Sequence, residues 1–303
     1  MTAKAFRLED FGSDLCERAR SGELDPVACR PELVHAMMLV LARRTKRCPV
    51  LIGEPGVGKS ALVEGLAADF ATGEVPEALR GCTIFALDLG ALLAGTPYRG
   101  DFEGRLRDLV SALRESGGRR ILFVDEIHLL ERAGRSEGGI DAANLLKPLL
   151  ARGALPCIGA TTPAEWEGLV ERDPALERRF QVVRVPEPSR EQVLEILRAL
   201  RPRLEGHHRV RITDAALQAA VDHRPKPGAQ ARRALPDHSI DLLDMACSRL
   251  ALDASRIGAE SDEPSAEREA MDCLDFEGLA RLRNARRRHP APPAEVRAED
   301  VVA

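Results

Sequence analysis

Aromatic residues are scarce. They make up 3% of the 303 residues, with one Trp and one Tyr. The core therefore has to be assembled from Ala, Leu, Val and Ile. Lysine is rarer still: only positions 4, 46, 59, 147 and 226 carry it, and the rest of the 44 cations are Arg. That skew, together with abundant Ala, reflects genome composition and not mechanism. No apolar run reaches the length that a membrane-spanning helix needs. The N-terminus, MTAKAFRLEDF, has no apolar signal core. The seven cysteines, at 16, 29, 48, 82, 157, 247 and 273, never form a CxxC. Their odd number and irregular spacing argue against a disulfide framework or a zinc site and fit a reducing cytosol. The net charge of -4 argues against a strongly basic nucleic-acid binder. One basic cluster, RNARRRH (283–289), reads as a solvated tail. These absences predict a cytoplasmic protein with no membrane partner and no nucleic-acid partner.

Hydrophobic residues make up 44% and charged residues 30%, the balance of a globular protein with room for two domains. Residues 1–30 are polar, with a short helix at DLCERARSG ended by Pro26. ELVHAMMLVLARR (32–44) has helical apolar spacing and ends in cations, which suit a helix C-terminus. Apolar runs follow at CPVLIG (48–53), CTIFALDLG (82–90), RILFVDE (120–126), LPCIGATT (155–162) and FQVVRV (180–185). The helical segments ALVEGLAADF, EGRLRDLVSALRES and AANLLKPLLARG separate them. Strands alternating with helices predict a mostly parallel sheet covered on both faces. After Pro186 three helical segments follow, two opened by the N-cap candidates Ser189 and Thr213. A domain boundary is therefore expected near Pro186–Pro188. HRPKPGAQARRA (223–234) reads as a loop, and from about Ala254 the chain turns into a polar tail.

The strongest chemical signal is GEPGVGKS (53–60), which matches G-x-x-x-x-G-K-[ST] between a strand and a helix. Glycines let the backbone wrap a phosphate, and N–H groups at a helix start attract anions. Lys59 can then reach the β and γ phosphates, and the Ser60 hydroxyl can ligate Mg²⁺. ILFVDE (121–126) ends a strand in two acids, where ligands of open parallel sheets bind. Asp125 is placed there to hold the water shell of Mg²⁺, and Glu126 to polarise the attacking water. CIGATT puts Thr161 or Thr162 near the γ-phosphate, or makes a helix N-cap. The arginine pair in ALERRF (175–180) is either a solvated helix end or a charge offered to a neighbouring subunit's phosphates. Tyr98, the lone tyrosine, sits in the glycine-bounded GTPYRGDFEG. It serves there as packing or as a gripping contact. His128 reads as local packing, and Trp166 as the anchor of the helix after the fourth strand.

Taken together and in order, DPVACRPEL, RRTKRCPVLIGEPGVGKSALVEGLA, LDLGALLAGTPYRGDFEGRL, ILFVDEIHLL, DAANLLKPLLARG, CIGATTPAEW, DPALERRF and LPDHSIDLLD resemble the first ATPase module of the Clp unfoldases and disaggregases, within the AAA+ class. The resemblance runs from about Leu8 to Ala251. It implies a P-loop α/β fold: a large nucleotide-binding domain at 31–187 and a small all-α lid at 188–254. The polar segments 1–30 and 255–303 flank them. It implies that Gly53, Glu54, Pro55, Gly56, Val57, Gly58, Lys59, Ser60 and Ala61 bind ATP. Ser60 and Asp125 would handle Mg²⁺, Glu126 would activate water, and Thr162 would sense the γ-phosphate. Arg178 and Arg179 would reach the next subunit of a homo-hexameric ring. The backbone near Val27 would meet adenine, and LPD (235–237) would approach it from the lid. Tyr98 would line a pore and pull on a polypeptide. The sequence departs from the family pattern in carrying Pro97 before Tyr98, Cys29 for Gly and His238 for Lys. No recruiting domain, second module or long coiled-coil insertion is recognisable, so a stand-alone module is expected. The resulting expectation is an Mg-dependent ATPase that remodels or threads proteins. The alternative is an ATP-dependent switch acting with a partner or adaptor protein.

Overall fold

The computed structural model describes residues 6–28, 30–94, 99–129, 155–223, 234–260 and 294–302. They fall into two compact units, Met1–Gln192 with Arg233–Asp237, and Val193–Arg232 with His238–Ala303.

The first unit is built on a sheet of β1 (Gly12–Asp14), β2 (Cys48–Ile52), β3 (Thr83–Leu87), β4 (Arg120–Val124), β5 (Cys157–Thr161) and β6 (Phe180–Arg184). The strand order is β1-β3-β4-β5-β2-β6. All neighbours are parallel except β1, which runs antiparallel to β3. The expected apolar runs are these strands. All five residues of β2 and of β5 are buried, which requires cover on both faces. Side chains alternate between two cores. Val50, Ile52, Leu122 and Val124 enter one, while Leu51, Ile121, Phe123 and Ile158 enter the other.

The second of those cores is filled by α1 (Leu15–Arg20), α2 (Pro31–Leu41) and α3 (Lys59–Thr72). In α2, Val34, Met37, Met38 and Leu41 repeat at helical spacing and are buried, and Pro31 opens the helix where its missing N–H costs nothing. The first core takes Leu92 from α4 (Leu89–Leu93) and Leu106, Leu109 and Leu113 from α5 (Arg99–Glu115). Trp166 and Leu169 of α6 (Pro163–Arg172) enter it too, with the Trp166 ring edge-on to Phe180 at 6.0 Å. A short α7 (Pro174–Glu177) precedes β6.

Two expectations change. The N-terminal polar stretch contributes the edge strand β1, and Leu15 and Cys16 are buried in the second core. A strand of Gly, Ser and Asp carries no apolar signal. It is held by main-chain pairing with β3, and Gly12 lies so close to Ala86 that a Cβ would stand 2.0 Å from its carbonyl oxygen. The tail reading also fails at its end. Residues 294–302 contain β8 (Glu295–Val296) and α11 (Ala298–Val302), with Val296 and Val301 buried.

In the second unit, α8 (Arg190–His208), which begins in the first, leads to β7 (Arg211–Ile212), α9 (Asp214–Asp222) and α10 (Asp237–Glu260). Strand β7 pairs in parallel with β8, a short ladder within this helical unit. Thr213 caps α9 by accepting from the N–H of Ala216, and its hydroxyl donates to the Val296 carbonyl. The buried Ser239 hydroxyl donates to the Ala220 carbonyl at 2.8 Å. The AANLLKPLLARG segment, Cys29, most of the 223–234 loop and residues 261–293 lie outside the described residues.

Candidate functional site

Parallel strands bring the C-terminal ends of β2, β5 and β4 side by side. Ile52 pairs with Thr161, and Val124 with Gly159. The glycine-rich loop leaves β2, the acids leave β4 and the threonines leave β5. All three signals therefore meet at one sheet edge.

The loop turns through Gly56 at φ 84° and Gly58 at φ 90°, conformations that favour glycine. Gly53 and Val57 are buried, while Glu54, Pro55 and Ala61 are exposed. The Gly53 N–H donates to the Thr161 carbonyl at 3.3 Å, which ties the loop to β5. Gly58 leads straight into α3 and provides no side-chain cap. The first N–H groups of that helix are thus free to meet an anion. Lys59 folds back, its Nζ donating to the Gly53 and Glu54 carbonyls at 2.8 and 2.9 Å. Burial lowers its pKa, and the nearby carboxylates of Asp125, Glu165, Glu54 and Glu126 work in the opposite direction.

Ser60 Oγ donates to Asp125 Oδ2 at 2.6 Å. Asp125 Oδ1 accepts from the Glu126 N–H at 3.0 Å. Glu126 has a left-handed φ of 53° and is exposed. A hydroxyl and a carboxylate in contact form an oxygen donor set that suits a hard cation such as Mg²⁺. Beside them, Thr162 caps α6 in a capping box with Glu165. Thr162 Oγ1 donates to Glu165 Oε2 at 2.7 Å and accepts from the Glu165 N–H at 3.4 Å.

Val27 lies across α3 at Gly65, where a Cβ would come within 3.0 Å of Val27 Cγ1. Asp237 sits against the loop: its N–H points at the Gly56 carbonyl at 3.4 Å, and a Cβ on Gly56 would lie 2.8 Å from its Cβ. Arg178 and Arg179 are both exposed in the turn before β6. Tyr98 lies outside the described residues.

Sequence reasoning passed over two groups. Arg30, buried and with φ 67°, donates from Nη1 to the Val57 carbonyl at 2.9 Å and from Nη2 to the Pro186 carbonyl. Nothing in the local pattern signals it. Glu165 was legible, because T-x-x-E before an apolar residue is a capping box.

A parallel sheet with a glycine-rich loop at β2 and an acid pair at β4 defines a P-loop nucleotide-binding domain. The model of the ATPase family associated with various cellular activities (AAA) matches residues 49–186, and that of the AAA lid domain matches 189–287. The chain belongs to the AAA+ ATPases, as a Clp-type module. It is 54% identical over 250 residues to the chaperone protein ClpB of Rhodopirellula baltica, covering 82% of this chain and 28% of that protein. To the chloroplastic chaperone protein ClpC2 of Arabidopsis thaliana it is 49% identical over 283 residues, covering 91% and 29%. Among solved structures, the S. cerevisiae Hsp104–ADP complex has a TM-score of 0.75 at 47% identity, and the Hsp104–casein complex one of 0.73 at 46%. Each match covers 82% of this chain and 42% of the other. The chain thus spans less than a third of the length of these curated relatives. The relatives do not favour the switch alternative. Among the described residues, no helix is long and apolar enough to cross a membrane.

Proposed function

We propose that this chain binds ATP with Mg²⁺ and hydrolyses it at the contact between copies in a homo-hexameric ring, to remodel or thread polypeptides in the cytoplasm. The observation that carries the reading is the Ser60–Asp125 contact of 2.6 Å, beside Lys59 on one side and Glu126 on the other. The residues 53–61 cradle the phosphates through main-chain N–H groups. Lys59 exchanges its two carbonyl partners for phosphate oxygens. Ser60 and Asp125 hold Mg²⁺, which supplies neutralisation of phosphate charge when bound. Glu126 accepts a proton from the attacking water, and Thr162 contacts the γ-phosphate. Val27 and residues 235–237 flank the base.

Arg178 and Arg179, both exposed, offer cations to the neighbouring copy's nucleotide. Charge developing in the transition state is what such an arginine meets. Tyr98, in the GTPYRG segment, grips the polypeptide. The named likeness to ClpB, and to Hsp104 in complex with casein, supports a protein substrate.

The test compares the parent with Glu126→Gln. Turnover should fall about 100-fold or more while labelled ATP still binds, and the variant with ATP should sediment as a hexamer. Unchanged turnover, or a monomer at micromolar concentration with ATP, overturns the reading.

A further inference from the structure

Thr161, Thr162, His128 and Glu165 form one polar cluster at the cleft. Glu165 Oε2 accepts from Thr162 Oγ1 at 2.7 Å, from the Thr162 N–H at 3.1 Å and from Thr161 Oγ1 at 3.2 Å. His128 Nδ1 lies 3.3 Å from the same oxygen and 3.2 Å from Thr161 Oγ1. Both hydroxyl protons go to the carboxylate, so the cluster is satisfied when Nδ1 of His128 carries its proton. Thr161 is buried, and the His128 side chain is 11% exposed. Such a network holds its members in fixed places.

Its members come from three different elements. Thr161 ends β5, Glu165 stands in the first turn of α6, and His128 lies in the turn that begins with Asp125 and Glu126. The same turn is tied to β5 by the Ile127 N–H donating to the Ala160 carbonyl at 3.0 Å. The carboxylate also reaches Lys59 electrostatically, ranking with Asp125 among the charges that act on it. Burial raises the pKa of Glu165, but the hydrogen bonds from Thr162, the charge of His128 and the Thr161 hydroxyl outweigh it, and the net shift is downward.

We propose that Glu165 is a positioning residue for ATP cleavage: its Oε2 fixes the Thr162 hydroxyl and, through His128, the turn that carries Glu126. The proposal rests on the ATPase reading above. A hydroxyl has one proton, and Thr162 spends it on Glu165 in this structure. When that proton turns to a phosphate oxygen, Glu165 keeps the Thr162 N–H, Thr161 and His128. The end of β5 therefore stays in register with the acid turn while the sensor contact is made. A helix cap alone needs neither His128 nor Thr161.

The test measures kcat, nucleotide affinity and Tm for Glu165→Ala, Glu165→Gln, His128→Ala and the Glu165→Ala/His128→Ala pair, with Glu126→Gln alongside. Glu165→Ala should lower kcat about ten- to a hundredfold and leave the affinity for a fluorescent ADP analogue within about threefold. His128→Ala should lower kcat in the same way with the Thr162–Glu165 cap left in place. The double variant should be no slower than the slower single variant. Glu165→Gln, which keeps size and one acceptor, should recover most of the rate. Full kcat in Glu165→Ala with only a lowered Tm would mean a cap and nothing more, and strictly multiplicative losses in the double variant would mean that the two side chains act apart. Either result overturns the proposal. If Glu126→Gln also leaves turnover untouched, it is the ATPase reading that fails.

Discussion

Arg30 is the residue on which the glycine-rich loop leans. Its guanidinium bonds the carbonyls of Val57 in the loop and Pro186 beyond β6, from a buried position. Removing it strands buried acceptors, each costing about 1–3 kcal/mol. Arg30→Met should therefore lower unfolding free energy by about 2–4 kcal/mol, read from the urea midpoint, and should weaken ATP binding. A variant as stable as the parent would mean that water replaces the guanidinium. At this scale the glycine-rich motif and the acid pair were legible because chemistry restricts them to a few residue types. Arg30 was not. An arginine in a polar stretch looks solvated until the fold closes over it. Glu165 lies between these cases: its capping role follows from spacing, but its contact with His128 joins residues 37 positions apart and arises from strand adjacency.

The sheet's edge and the second unit's ladder show what local pattern cannot reveal in whole elements. Strands β2, β4 and β5 announce themselves as apolar runs because both faces are buried. Strand β1 is held by main-chain bonds and has no such run. Strand β8 has two residues, and its place depends on β7, more than eighty positions earlier. Val296 is fully buried there. Val296→Ala should destabilise the second unit by about 2 kcal/mol, measured as a shift in its thermal or urea transition. An unshifted transition would count against the packed C-terminal end. Arg297→Ala, at an exposed neighbour, is the matched control with little expected effect.

Across the molecule, the cysteines test the packing of both units at once. Cys16, Cys48, Cys82, Cys157 and Cys247 are free and buried. Burial pushes the thiols of Cys16 and Cys48 up to about 11 and that of Cys247 to about 12, and raises Cys82 and Cys157 as well. A thiol with a pKa near 11 is about one-thousandth thiolate at about pH 8, so it reacts slowly even when reached. A Cys29→Ser/Cys273→Ser variant should show no rapid reaction with an aromatic disulfide reagent when native, and five reactive thiols in urea, the seven of the sequence less two. A fast native thiol would reveal an opened core. The ring proposed above is compatible with this packing, because Arg178 and Arg179 are exposed cations and not core residues.

The amino-acid sequence alone determined the glycine-rich loop, the acid pair and the alternation of strands with helices. Each of these is a local constraint, set by backbone conformation, charge or burial on both faces of a strand. The tertiary structure decided which strand ends lie side by side, that Ser60 meets Asp125, that Glu165 meets His128, and that polar N-terminal and C-terminal stretches complete a sheet and a ladder. Those contacts depend on pairing between distant segments, and such pairing is fixed by the packing of the whole chain.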